Sequence, residues 1–204
     1  MASEGIVHVV DDDEAMRHSL LFLLDCAGIE ARAYESAVAF LETIATMERG
    51  CIVTDVRMPG MSCLELVGRL RQAGVNDPVI VITGHGDVPL AVEAMKAGVS
   101  DFIEKPFDDR QLLSAVREGL DRSRGILAEE SGRRAVEERL AALSGRERDV
   151  LQGLVDGKPN KIIAFDLGIS ARTVEIYRAN VMTKMQAKSL SGLVRMTMAA
   201  GLGG

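Results

Sequence analysis

The sequence is poor in cysteine and contains no long hydrophobic run. Its 204 residues include three cysteines, Cys26, Cys51 and Cys63, which are scattered and form no CxxC pair. This set predicts neither a disulfide framework nor a structural zinc site, and we expect three small buried apolar side chains in a reducing cytoplasm. No run approaches the ~20 apolar residues that cross a bilayer, and the first residues have no leader pattern. We therefore expect neither membrane spanning nor secretion.

Charge is divided unevenly along the chain. Residues 1–124 hold 12 Lys and Arg against 21 Asp and Glu, whereas residues 143–204 hold 9 against 5. The resulting net charges of -9 and +4 predict two domains with different partners, and a small basic domain favours a polyanion such as DNA. The intervening residues 125–142 are rich in Arg, Glu and Ala, which predicts a partly helical linker.

Apolar runs alternate with helical patterns up to residue 124, which predicts an α/β domain with a doubly wound, five-stranded parallel sheet. The predicted strands are Ile6–Val10, Ala31–Tyr34, Cys51–Thr54, Val79–Ile82 and Asp101–Ile103. The predicted helices are Met16–Ala27, Ala37–Met47, Leu64–Ala73, Ala91–Ala97 and Gln111–Leu120. Residues 143–204 show no strand pattern and predict a second, smaller all-α domain of four helices, at 144–155, 160–168, 170–185 and 189–200.

Polar side chains stand at the ends of the predicted strands. Asp11 and Asp12 follow the first strand, Asp55 closes the third, Thr83 closes the fourth, and Lys105 follows the fifth. Because the carboxyl ends of parallel strands meet at one edge, we expect one pocket there. Each residue alone is better explained as an ordinary polar strand end, and it is the joint placement that favours a site. Carboxylates suit Mg²⁺, and Asp55 can attack phosphorus while Lys105 and Thr83 bind phosphoryl oxygens.

Residues 5–124 resemble the receiver domain of bacterial two-component response regulators. The resemblance lies in the pair Asp11-Asp12, TDVRMPGM around Asp55, ITG at Thr83 and EKPF around Lys105, all in the family's order and spacing. It implies a flavodoxin-like fold in which a histidine kinase phosphorylates Asp55. It also implies Mg²⁺ bound by Asp11, Asp12, Asp55 and the backbone carbonyl of Arg57. No separate substrate is expected, so the chain is not predicted to be an enzyme.

The same resemblance implies a conformational switch and a dimer face. Thr83 and Lys105 bind the phosphoryl group, and Phe102 is the aromatic residue that moves inward as Thr83 moves toward the phosphate. The bond between Lys105 and Pro106 is expected to be cis. The positions that tune the phosphate lifetime are Arg57 and His85. The fourth helix and fifth strand supply the dimer face, for which the candidates are Val88, Val92 and Met95. Each of those three, taken alone, is better explained as core.

A phosphohydrolase of the haloacid-dehalogenase type is an alternative, because such enzymes also form an aspartyl phosphate at a parallel sheet. Their motif places a second Asp two residues after the nucleophile. Here that place is Arg57, and the chain offers no substrate cap, so this alternative is disfavoured.

The second domain contains IAFDLGISARTVEIY, which predicts a helix, a glycine-containing turn and a second helix, the layout of a helix-turn-helix. One face of the second helix forms an apolar stripe of Val174, Tyr177, Val181 and Met185. The predicted DNA-contacting residues on and around its other side are Arg172, Thr173, Glu175, Ile176, Ala179, Asn180 and Thr183. Lys161, Lys184 and Lys188 are candidates for phosphate contacts. An ordinary helical domain with a solvated face explains the pattern alone equally well.

The second domain is similar to the LuxR-type DNA-binding domain. The matching residues are Leu143, Arg146-Glu147, Gly157, Asn160-Lys161, Ile163-Ala164, Leu167, Ile169-Ser170, Thr173-Val174 and Lys184. Tyr177 and Met185 depart from the usual His and Leu. Glu175 stands where related proteins often have Lys, and a carboxylate there repels phosphate and accepts only from a base such as cytosine.

The two domains together resemble the LuxR/NarL class of response regulators. Within that class, VITGHGDVPLAVEAMKAG followed by DFIEKPF, and ISARTVE with YRANVMTKM, resemble the FixJ group. This implies phosphorylation by a FixL-like kinase that carries the haem, homodimerisation, and activation of nitrogen-fixation or microaerobic genes at promoter DNA with RNA polymerase. From the expected dimerisation we predict an inhibited monomer in which the receiver covers the DNA-binding helix, which phosphorylation releases. The alternative is a phosphorylation-regulated interaction module whose helical domain binds protein or RNA.

Overall fold

The computed structural model describes residues 5–84 and 88–201, except for the side chains of Val88, Pro89 and Ala91. The chain divides into two compact units, residues 1–128 and 129–204, and the division falls inside the segment 125–142. Across the described ranges, no helix is long and apolar enough to cross a membrane.

The first unit is a parallel sheet covered by helices on both faces. Its strands are β1 (Ile6–Val10), β2 (Ala31–Tyr34), β3 (Gly50–Asp55), β4 (Val79–Thr83) and β5 (Asp101–Glu104), in the order β2-β1-β3-β4-β5. The helices are α1 (Glu14–Cys26), α2 (Ala37–Leu41), α3 (Cys63–Gln72), α4 (Val88–Lys96) and α5 (Asp109–Ala141). All four strand pairs are parallel, so the carboxyl ends of the five strands lie at one edge. The predicted doubly wound α/β fold is confirmed.

Two apolar clusters lie on opposite faces of this sheet. The cluster around Phe40 and Leu66 packs α2, α3 and α4 against one face. The cluster around Leu24 and Val116 packs α1 and α5 against the other. Strands β1 and β4 are buried along their whole length, as strands covered on both faces must be. This double burial explains why their sequences are continuous apolar runs rather than alternating ones.

Three local features differ from the sequence-based expectation. Helix α2 ends at Leu41 rather than Met47, because the following turns close with i to i+3 hydrogen bonds such as Thr43 N to Phe40 O at 3.0 Å. Helix α5 continues to Ala141, so the segment predicted as partly helical is helical up to that residue. The expectation that Cys26 is buried is wrong, because α1 buries Leu20 and Leu24 and leaves the Cys26 side exposed.

A buried carboxylate lies near the amino ends of β3 and β4. Asp77 has no exposed side-chain surface, and its two oxygens accept from Nε of Arg49 at 2.9 and 2.8 Å. The hydroxyl of Ser123 on α5 donates to Asp77 Oδ1 at 3.2 Å. Ser123 is also the last residue of α5 that is buried against the first unit. Asp77 therefore links the segments that precede β3 and β4 to the end of the part of α5 that packs against the first unit.

The second unit contains the helices α6 (Gly145–Val155), α7 (Asn160–Leu167), α8 (Ala171–Lys184) and α9 (Leu190–Ala199). Gly168, at the end of α7, has a φ of 64°, a left-handed conformation that favours glycine and permits the tight turn into α8. Val174, Val181 and Met185 of the predicted stripe are fully buried in the core of this unit, and Tyr177 is partly buried against it. The predicted smaller all-α domain is confirmed.

Candidate functional site

Asp55 lies at the carboxyl end of β3 with both of its oxygens held. Oδ1 accepts from Nζ of Lys105 at 2.7 Å, and Oδ2 accepts from the backbone N–H of Arg57 at 2.8 Å. The side chain keeps 14% of its surface exposed. A carboxylate held by a cation and still open to solvent has the geometry of a nucleophile for an incoming phosphoryl group.

Asp11 and Asp12 follow the adjacent strand β1. Asp11 is 2% exposed, and its Oδ1 accepts from the N–H of Asp13 at 2.8 Å. Its Oδ2 is buried without a hydrogen-bond partner among the described residues, and Nζ of Lys105 is 3.8 Å from it. Burial is the largest cause of the raised pKa of Asp11, because removal from water penalises the charged form. Asp12 is exposed beside it.

These carboxylates fit a magnesium ion that keeps part of its water shell. In the described part of the chain, no three His, Cys, Asp or Glu side chains converge as a ready-made metal cage. Mg²⁺ does not need one, since it takes one or two carboxylates and completes its shell with waters and phosphate oxygens. The buried Oδ2 of Asp11 is a hard oxygen that lacks a hydrogen-bond donor. The role of Asp12, Asp55 and the Arg57 carbonyl as further ligands stays a prediction.

Thr83 and Lys105 lie at the ends of the neighbouring strands β4 and β5. Thr83 is 3% exposed, and its hydroxyl donates to the carbonyl of Gly84 at 3.2 Å. The N–H of Lys105 donates to the carbonyl of Thr83 at 2.7 Å, which ties the ends of β4 and β5 together. The bond between Lys105 and Pro106 is cis, as predicted. Asp11, Asp55 and Lys105 are therefore brought together, and the hydroxyl of Thr83 is bonded to the carbonyl of Gly84.

Apolar side chains are exposed on α4 and β5. Val92 is 46% exposed, Met95 43% and Phe102 40%. The reading of Val92 and Met95 as core is therefore wrong, and among the side chains of α4 that the structure describes Ala94 is the buried one. The side chain of Val88 and the whole of His85 lie outside the described residues. The side chain of Phe102 therefore faces outward, and its predicted inward movement stays a prediction.

The predicted DNA-binding face of α8 is open. The exposed members of that set are Arg172, Glu175, Ile176, Ala179, Asn180 and Thr183, together with Lys161 and Lys188. Thr173 differs from them because it is partly buried and its Oγ1 is 2.8 Å from Oγ of Ser170, the N-cap of the helix. Thr173 thus helps to fix the start of α8.

Lys184 has a structural partner that the sequence analysis did not assign. Its Nζ lies 2.7 Å from Oε2 of Glu147, whose side chain is 4% exposed, and 3.4 Å from the carbonyl of Ala142. Glu147 also accepts from the N–H of Ser144, completing the capping box of α6. The ammonium therefore joins the end of α8 to the start of α6, and its predicted phosphate contact competes with this ion pair. The capping-box spacing was the available signal for Glu147.

Removal of the Glu147 charge should destabilise the second unit in a pH-dependent way. The hydrogen bonds from Lys184 and from the Ser144 backbone lower the pKa of Glu147 from 4.5 to about 2. Because the folded-state pKa is depressed, the stabilisation is complete above the unfolded pKa of 4.5 and is lost as the pH falls toward 2. We expect Glu147→Gln to lower the melting temperature at neutral pH. Near pH 2 the variant and the unsubstituted chain should have the same melting temperature.

Thermal unfolding at a series of pH values measures this difference. The chain has no Trp and two Tyr, so Tyr177 reports on the second unit alone in a Tyr34→Phe background. Asp149→Asn is the matched control, because Asp149 forms an exposed i,i+3 pair with Arg146 at 3.9 Å. A Glu147→Gln deficit that is equal at all pH values would contradict the ion-pair explanation.

Arg178 is a basic residue near this face that the sequence analysis missed. Its Nη1 donates to Oδ1 of Asn160 at 3.3 Å, and it lines a cleft with Lys158 and Lys161. Its position three residues after Glu175, about one turn along α8, was the available signal. The cleft therefore places more positive charge at the start of α7 than the three predicted lysines indicate.

Comparisons with known proteins agree with both halves of this description. Residues 7–117 match the response regulator receiver domain, and residues 141–197 match the bacterial regulatory proteins of the luxR family. The transcriptional regulatory protein FixJ of Azorhizobium caulinodans is 59% identical over 96% of this chain and 93% of that protein. FixJ of Rhizobium meliloti is 51% identical over 97% of each chain.

Solved structures give the same result. The crystal structure of full-length FixJ from B. japonicum covers 98% of this chain and 99% of its own, at 48% identity and a TM-score of 0.61. The structure of the response regulator StyR covers 95% and 98%, at 40% identity and a TM-score of 0.83. The chain therefore belongs to the FixJ-like response regulators, transcriptional regulators that join a receiver domain to a LuxR-type DNA-binding domain.

Proposed function

We propose that Asp55 accepts a phosphoryl group from a histidine kinase and that the phosphorylated chain activates transcription. The observation that carries this proposal is the carboxylate of Asp55, held 2.7 Å from Lys105 beside the buried and incompletely bonded Asp11. Receiver domains generally use Mg²⁺ for this reaction, and the oxygens of Asp11 and its neighbours would hold the ion. When bound, the ion supplies positive charge to the phosphoryl oxygens.

The side chains of this site divide the work of phosphoryl transfer. The N–H of Arg57 fixes Oδ2 of Asp55, so the carboxylate is oriented before the donor arrives. Lys105 lies within reach of both Asp55 and Asp11, and its charge offsets the developing charge on the phosphoryl group. The new group adds about -1.5 to -2 charge at pH 7, which favours movement of the Thr83 hydroxyl toward it.

This movement connects the site to the exposed α4–β5 surface. As Thr83 leaves the carbonyl of Gly84, Phe102 gains room to turn inward, and Val92 and Met95 then pair with a second copy of the chain. Two recognition helices joined in this way fit half-sites one turn of DNA apart. Dimerisation in this proposal releases the DNA-binding helix from the inhibited monomer.

The FixJ names of the relatives support a more specific role. In this role the donor is a FixL-like, haem-containing kinase, the targets are nitrogen-fixation or microaerobic promoters, and the activator contacts RNA polymerase in the cytoplasm. The chain acts on no separate substrate, and any loss of its own phosphate is the only turnover it performs.

The test compares DNA binding of the full chain in three conditions: no phosphodonor, a small phosphodonor with Mg²⁺, and the same donor with a chelator. We expect tighter binding to a nitrogen-fixation promoter duplex, with dimer formation in sedimentation, only when donor and Mg²⁺ are both present. A Val92→Asp, Met95→Asp variant should take up phosphate but remain a monomer. Equal binding in all conditions would overturn the proposal that phosphorylation regulates DNA binding. Preference for RNA over duplex DNA would favour the alternative, an interaction module whose helical domain binds protein or RNA.

A further inference from the structure

The first turns of α8 carry an acidic side chain on an otherwise basic surface. Glu175 exposes 55% of its side chain, and its Oε2 is 3.5 Å from Nη1 of Arg172, one turn earlier. Glu175 also lines a cleft of about 600 Å³ bounded by the start of α7 and the first half of α8. The basic residues that line this cleft are Lys158, Lys161 and Arg178, and among its described lining residues Glu175 alone is acidic.

A carboxylate in this place weakens sequence-independent DNA binding. Non-specific affinity comes from cations that replace the counterions of phosphates, and a negative charge beside them opposes that attraction. Lys158 is already paired with Asp166 at 2.9 Å, so few cations of the cleft remain to attract DNA phosphates. The repulsion between Glu175 and the phosphates acts against the attraction of these few. Although Glu175 accepts from Arg172 at 3.5 Å, it therefore reduces affinity for DNA unless it also meets a hydrogen-bond donor on the DNA.

The donors available to it are the exocyclic amino groups of bases. Residues in the first turns of a helix-turn-helix recognition helix face base edges in the major groove. A carboxylate there accepts from N4 of cytosine, whereas guanine and thymine present acceptor oxygens that repel it, and the N6 amino group of adenine stands beside the acceptor N7, which also repels it. The charge that costs affinity at a random sequence is thus compensated at a sequence with cytosine in the correct place.

We infer that Glu175 is a specificity-determining residue, which accepts from the 4-amino group of one cytosine in each half-site and weakens binding to DNA that lacks it. This inference rests on the proposed DNA-binding function. It deepens that function, because it assigns one side chain to one base. Arg172, which precedes Glu175 by one turn, donates to it at 3.5 Å.

The experiment selects sites from a pool of random duplexes with the full chain, treated with phosphodonor and Mg²⁺. The unsubstituted chain should enrich a cytosine at one position of each half-site. In Glu175→Ala that preference should fall about fivefold or more, while the other positions of the site persist. Affinity for a duplex without the site should rise in both Glu175→Ala and Glu175→Gln, because both remove the charge.

Asp149→Asn is the matched control, since it breaks the equivalent i,i+3 pair on α6. It should leave unchanged both the cytosine preference and the affinity for a duplex without the site. Direct reading is tested by replacing the cytosine with an analogue that lacks the 4-amino group: the unsubstituted chain should lose affinity and Glu175→Ala should not. Equal losses in the two proteins would overturn the inference while leaving DNA binding intact. If the unsubstituted chain enriched no sequence, the proposed function itself would fail, and the inference with it.

Discussion

Asp55→Asn should abolish uptake of phosphate from a small phosphodonor in the presence of Mg²⁺. Asn matches Asp in shape and retains one carbonyl oxygen for Lys105, which now lies 2.7 Å from Asp55 Oδ1. It lacks the negative charge and the second oxygen that accepts from the N–H of Arg57 at 2.8 Å. Because the attacking atom must be a carboxylate oxygen, we expect a complete loss rather than a reduced rate. The mass of the intact chain after incubation measures the loss.

Asp25→Asn is the matched control for this substitution. Asp25 is an exposed carboxylate on α1 and lies outside the candidate site. It should take up phosphate like the unsubstituted chain, and circular dichroism should show all three proteins folded. Phosphate uptake by Asp55→Asn at the normal rate would show that another carboxylate is the acceptor, with Asp11 or Asp12 the next to test.

The strands and the acidic end of the sheet were predictable because their signals are local. A strand buried on both faces must be apolar throughout, and β1 and β4 are. Parallel topology then brings Asp11, Asp55 and Lys105 to one edge whatever the lengths of the connecting helices. The same reasoning cannot give the position of the Thr83 hydroxyl. The sequence does not show which group that hydroxyl bonds, and the coordinates show that it donates to the carbonyl of Gly84.

The features that the sequence did not indicate are those where tertiary contacts decide between equally good local patterns. Gly125 and Gly132 lie in the segment predicted as partly helical, yet a helix tolerates single glycines at a cost of about 1 kcal/mol each, and α5 continues through both. Lys184 matches a pattern residue of a DNA-binding domain, but its ammonium is held by Glu147, 37 residues earlier in the chain. The residues next to Lys184 and those next to Glu147 in the sequence give no signal for this ion pair.

Asp77→Ala should lower the free energy of unfolding of the first unit by about 3–5 kcal/mol, the cost of removing one partner from a buried ion pair. The substitution removes the acceptor of both Arg49 and Ser123, and Asp77 has no exposed side-chain surface through which water would replace it. Asp121→Ala is the control, because Asp121 also lies close to the end of the part of α5 that packs against the first unit. Its side chain is 67% exposed and pairs with Arg124 at the surface, so we expect a loss below about 1 kcal/mol.

Hydrogen exchange of the full chain locates the damage as well as its size. Ser123 is the last residue of α5 buried against this unit, and Asp77 is its partner. Loss of the carboxylate should therefore increase amide exchange first around residues 119–124 and at the start of β4. The Asp55 edge, at the other end of the sheet, should respond only through global unfolding. Faster exchange spread evenly over the whole unit would contradict a local tether, because it would mean that Asp77 contributes only to global stability.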